Sequence, residues 1–159
     1  MSDHREIEKN ILSTFSETAN SLGYSPLHGN IIGVLLMKDR PMSLQEIAQE
    51  TGYSTSMISL SLDLLEVLGV IKKIKKTGDR KLYIKLDGDL LEILKNALTI
   101  KLSKSIQNSL TDFSESRKKL SGVSSNADRE RVKKKIDILE KELKRLKTYI
   151  DILSEVKLP

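Results

Sequence analysis

Apolar positions along the chain recur mostly at helical spacing, broken once by a pair of strand-like runs. Ile7, Ile11, Phe15, Ala19 and Leu22 fall about four apart and predict an amphipathic helix over residues 5–22. Gly23 ends it, and "GYSPLHGN" reads as a turn-rich connector. "IIGVLLMK" is apolar nearly all round and reads as a short buried helix. In "PMSLQEIAQETG", Ser43 precedes Glu46 by three residues, the spacing of a reciprocal cap. Leu44, Ile47 and Ala48 supply the apolar face, and Gly52 suits a left-handed C-terminal cap. A second helix opens after Ser54, with Ile58, Leu62, Leu65 and Leu68 inward and Thr55, Ser56, Ser59, Leu60 and Asp63 outward. Met57 and Leu60 could meet thymine methyls, although Met57 reads better as core. Gly69 stops this helix.

The period then changes from helical to alternating. "VIKKIKK" and "KLYIKL" flank "TGDR", and in the second run Leu82, Ile84 and Leu86 share one face. Two short helices, a tight turn and a basic hairpin make the order of a winged helix-turn-helix. Beyond "DGD" a helical tract runs from about 89 to 119, with Leu94, Leu98, Leu102, Ile106 and Leu110 spaced by four. That stripe drifts around a straight helix and predicts several packing partners. "SGVSSNAD" at 121–128 is a break. The last helix carries Val132, Ile136, Leu139, Leu143, Leu146, Ile150 and Leu153 at alternating spacings of four and three, a heptad seam, widened by Tyr149, Ile152 and Val156. Such a seam must pair with another chain or fold back on the preceding helix. The drifting stripe favours a second chain, so the seam is the expected homodimer interface. The fold class is mainly α: a winged-helix domain over residues 1–88 and a helical dimerisation region over 89–159.

Charge sharpens this picture. Net charge is +5, and residues 69–86 hold Lys72, Lys73, Lys75, Lys76, Arg80, Lys81 and Lys85 against Asp79 alone, a net +6. A clustered cationic segment is what a polyanion binder presents; the plainer account is a lysine-guarded edge hairpin. Beside a helix with a small polar outer face, the hairpin would meet phosphates that flank a DNA groove. Candidate DNA-binding residues are Gln45, Ser54, Thr55, Ser56, Ser59, Lys75, Lys76, Arg80 and Lys81. Ser54 reads equally as a helix cap.

Other chemistries find little support. With no cysteine, disulfides and thiolate metal sites are excluded. The two histidines, His4 and His28, are far apart and lack a catalytic constellation, and "TGDRK" lacks phosphate-loop spacing. No enzyme activity, metal or cofactor is expected. Neither a membrane span nor a secretion signal is read, so a cytoplasmic protein is expected. Two phenylalanines and four tyrosines, scattered, outline no aromatic cage, and no small-molecule effector is predicted.

Residues 23–88 together resemble the GbsR branch of the MarR-type winged-helix transcriptional regulators. The resemblance rests on Gly29 to Leu35, on "MSLQEIA" from Met42 to Ala48, on Ser54 to Leu65, and on "GDR" at 78–80. It implies a sequence-specific regulator of double-stranded DNA that acts as a homodimer. The rival reading is a winged-helix module that recruits a protein partner through its C-terminal coil.

Overall fold

A computed structural model of the chain describes residues 2–159. Two compact units divide it, 1–94 and 95–159.

In the first unit, α1 (Ser2–Ser21) packs on α2 (Pro26–Lys38). Gly29 and Gly33 set the close approach: a Cβ at Gly29 would lie on the Phe15 carbonyl and 2.8 Å from the Ser16 nitrogen. The connector expected at 23–30 is thus largely helix. Ser25 caps it, Pro26 takes the first position, where a missing N–H costs nothing, and His28 completes the cap. The loop reading failed because Pro and Gly, read as turn residues, here serve a helix start and a helix contact.

A two-residue strand β1 (Met42–Ser43) leads into α3 (Leu44–Thr51), and α4 (Thr55–Val67) follows the left-handed Gly52. β2 (Ile71–Lys75) and β3 (Leu82–Leu86) form the expected hairpin, joined by residues 76–81. β1 adds to β3, pairing Met42 with Ile84 and Ser43 with Tyr83, so the sheet order is β1-β3-β2. Two residues carry too little periodicity for β1 to be seen in the sequence. One aliphatic core joins α2, α3, α4 and the sheet through Ile31, Met42, Ile47, Ile58, Leu62, Leu65 and Ile84, all fully buried. The first unit is a winged helix-turn-helix.

α5 (Leu90–Lys119) begins in the first unit, where Ile93 joins the core, and continues into the second. A single 3₁₀ turn (Leu120–Gly122) and a short link lead to α6 (Asn126–Glu155), capped by Ser125. The break is shorter than the 121–128 expected, because Asn126, Ala127 and Asp128 already form the first turn of α6.

α6 folds back along α5. Arg117 bonds Asp137 at 2.7 Å and Glu140 at 2.9 Å, and at the other end Lys95 Nζ donates to the Val156 carbonyl at 3.2 Å. The α5 stripe expected from spacings of four is used only in its second half: Leu94, Leu98 and Leu102 are exposed, while Ile106 and Leu110 are covered. Instead Thr99, Ser103, Ile106, Leu110, Phe113, Arg117 and Leu120 are buried or half-buried, at spacings of four and three. Polar members hid this seam from a purely hydrophobic reading. On α6 the column Ile136, Leu143 and Ile150 is covered, with Ile136 at 6% and Ile150 at 4% exposure. The other column, Val132, Leu139, Leu146 and Leu153, stays exposed.

Candidate nucleic-acid interface

The start of α3 fixes the geometry. Ser43 Oγ accepts from the Glu46 N–H at 3.2 Å, and Glu46 accepts from the Ser43 N–H at 2.7 Å. Arg40 adds a 2.9 Å ion pair to Glu46. The Ser43 backbone bond and then the Arg40 bond hold the Glu46 carboxyl at a pKa of about 2, so the cap is ionised at neutral pH. Ser43 also ends β1 opposite Tyr83, so one residue registers α3 against the sheet.

α4 starts at Ser54, whose hydroxyl accepts from the Met57 N–H at 3.3 Å. Ser54 is therefore the cap, and its hydroxyl oxygen is engaged. Thr55, Ser56 and Ser59 are exposed on the outer face, while Ile58, Leu62 and Leu65 point inward. Met57 is not core: it is 48% exposed, and Leu60 is 74% exposed. Helical spacing puts Met57 on the same face as Leu60, turned away from the face that buries Ile58 and Leu62.

The wing has two faces. Ile71, Lys73 and Lys75 share a face with Leu82, Ile84 and Leu86; Lys72 and Ile74 share the other with Tyr83 and Lys85. Lys73 bridges to Asp63 at 2.7 Å and Glu66 at 2.9 Å on α4, and both bonds raise its pKa. That lysine is committed to the fold, and it answers the negative charge on α4. On the other face Lys72 lies directly opposite Lys85, both exposed. Like charges in register across a strand pair destabilise a sheet.

At the tip Asp79 accepts from the Lys81 N–H at 2.9 Å and the Tyr83 hydroxyl at 2.8 Å. The Lys81 bond first, then the Tyr83 bond, hold the Asp79 carboxyl below its usual range. Gly78 adopts the left-handed φ of 81° that the turn requires. Arg80 is exposed beside it, and Lys76 Nζ sits 4.0 Å above the Tyr83 ring.

Between α3 and the wing lies a cleft of about 570 Å³, lined by Arg40, Gln45, Gln49, Lys76, Lys81 and Tyr83 among others. It brings together three sequence candidates, Gln45, Lys76 and Lys81. Arg40, Gln49 and Tyr83 were not anticipated. Arg40 lies between the two helices read at "IIGVLLMK" and "PMSLQEIAQETG", and Tyr83 in an alternating strand; only β1 pairing with β3 draws them to one place. Lys75 is exposed at the end of β2, on the Lys73 face of the hairpin, and does not line this cleft.

No established family profile matches the chain. It is 26% identical over 147 residues to the HTH-type transcriptional repressor GbsR of Bacillus subtilis (strain 168), covering 92% of this chain and 81% of that one. It is 21% identical over 155 residues to the HTH-type transcriptional repressor OpcR of the same organism, covering 94% and 81%. Among solved structures, a crystal structure of a transcriptional regulator superposes with a TM-score of 0.63 at 18% identity, over 92% of this chain and 95% of the other. The relatives are HTH-type transcriptional regulators, GbsR among them, and the solved transcriptional regulator shares the fold.

Proposed function

We propose that this protein is a double-stranded DNA-binding transcriptional regulator that acts as a homodimer. α4 enters the major groove with Thr55, Ser56 and Ser59 at the bases. The wing lies on the flanking backbone with Arg80 at its tip, and the α3–wing cleft takes a phosphate near Gln45, Lys76 and Lys81. The observation that carries this reading is the pairing of a small, polar, exposed helix face with a sheet that opposes Lys72 to Lys85. Guarding an edge does not require lysines paired in register, whereas a bound polyanion relieves that repulsion. The relatives' description as HTH-type transcriptional repressors supports the same reading.

Two copies are proposed to meet through the second unit. The exposed column Val132, Leu139, Leu146 and Leu153 supplies an apolar strip that the α5–α6 hairpin leaves uncovered. Of the expected dimer contacts, Ile136, Leu143 and Ile150 then serve the hairpin within each chain.

Duplex binding measured by fluorescence anisotropy across a salt series tests this. Affinity should fall steeply as salt rises, because neutralised phosphates release counterions. Arg80→Ala combined with Lys76→Ala should weaken binding on every sequence and flatten the log–log salt slope by about two. Undetectable duplex binding at ~50 mM salt, where such affinity is strong, would sink the reading.

A further inference from the structure

The outer face of α4 lacks the side chains that most often read bases. Its sequence, "TSMISLSLDLLEV", has no Arg, Lys, Asn or Gln. Guanine is commonly chosen by bidentate Arg or Lys, and adenine by bidentate Asn or Gln. The hydroxyls of Thr55, Ser56 and Ser59 bond donors and acceptors alike and discriminate poorly. One further mark on the major-groove edge is apolar, the 5-methyl group of thymine.

Leu60 is placed to read it. It is the most exposed apolar residue in the first two turns of α4, and Ser56 and Ser59 near it are short. Its side chain therefore stands highest on that face, with Met57 one turn before it. Leu64 and Val67 prolong the exposed stripe, but they alternate with Asp63 and Glu66. Lys73 ties those carboxylates to the sheet, and that end of the helix presents no cation of its own to a phosphate. The charge pattern thus confines groove contact to the half of α4 that holds Leu60.

Resting on the DNA-binding reading above, we infer that Leu60, flanked by Met57, selects thymine through its 5-methyl group. Each half-site of the operator then carries a thymine whose methyl packs on the Leu60 side chain, and specificity is read by shape and apolar contact more than by paired hydrogen bonds.

The test uses the full chain. Duplexes are selected from a random pool, and the selected sequence is resynthesised with deoxyuridine in place of each thymine in turn, which removes only the methyl. At one position per half-site the substitution should weaken binding about fourfold, the effect of one buried methyl-sized group, with little change elsewhere. Leu60→Ala should bring that ratio close to one and leave the salt slope unaltered. Because Leu60 lies outside the core, this variant should melt like the parent; the thymine–uracil comparison on the parent needs no variant at all. A tight duplex with no uracil-sensitive position, or a selected sequence without thymine in its half-sites, overturns the inference and leaves DNA binding intact. A Leu60→Ala protein that keeps the full ratio removes the role from Leu60. A stripe that serves a protein partner gives the same negative result. Failure to bind any duplex at low salt overturns both readings.

Discussion

His28 closes the N-terminal cap of α2 by accepting from the Ser25 N–H at 3.2 Å through Nδ1. That bond needs the ring nitrogen unprotonated. Partial burial lowers the His28 pKa from its ordinary value, about 6.5, so the folded chain takes up its proton later than the unfolded one. Stability supplied by this group is therefore complete above pH ~6.5 and declines as pH falls below it. Thermal melts between pH 7.5 and 5.5 should show that decline, and His28→Gln, which keeps an acceptor without a titrating ring, should flatten it. Equal slopes in parent and variant would mean that other groups govern the acid limb. Glu46 acts in a lower window: its depressed pKa gives stability that is complete above the usual carboxylate range and is lost progressively as pH falls from that range to about 2.

Across elements, Lys73 separates fold from function within the basic hairpin. It joins β2 to α4 through Asp63 and Glu66, while Lys72 and Lys85 face the opposite side. Lys73→Met keeps the aliphatic stem and removes the charge. Partly exposed ion pairs contribute little, so stability should drop by less than ~1 kcal/mol. DNA affinity should fall on all sequences, because two carboxylates beside the groove lose their counter-charge. The salt slope should hold, since no phosphate contact is deleted. A slope that flattens as in the Arg80 and Lys76 variant would place Lys73 on DNA instead. The register of α3 against the wing depends on Ser43, which caps the helix and pairs with Tyr83 at once. The capping box was legible in the sequence; the pairing was not, because it needs β3 from forty residues downstream.

At the scale of the whole molecule, the second unit divides its apolar surface in two. Ile136, Leu143 and Ile150 are covered in the hairpin, and Val132, Leu139, Leu146 and Leu153 stay exposed, the column proposed above to meet a second copy. Leu139→Glu with Leu146→Glu should yield a monomer by sedimentation with helix content unchanged. Affinity for a duplex with two half-sites should drop on the order of a hundredfold or more as the paired engagement is lost. Ile150→Glu should instead loosen the hairpin and lower the melting temperature, since it buries a charge without a partner. Sedimentation of the unaltered chain as a monomer would refute the dimer directly.

Local signals in the sequence determined most of the first unit. The Ser43–Glu46 cap, Gly52, the Ser54 start, the inward Ile58, Leu62 and Leu65, and the alternation of β3 are set by neighbours within a turn or two, which a linear pattern records. The basic hairpin beside a polar helix face was legible for the same reason. Tertiary structure alone decided the rest. It added β1 to the sheet, drew Arg40, Gln49 and Tyr83 to the cleft with Gln45, and turned Lys73 inward to Asp63 and Glu66. It also assigned half of the α6 heptad to α5, through a seam in which Thr99, Ser103 and Arg117 stand among apolar residues. The physical reason is common to all of these. A side chain's partner across strands or antiparallel helices lies tens of residues away, and apolar periodicity says which face is buried without saying against what.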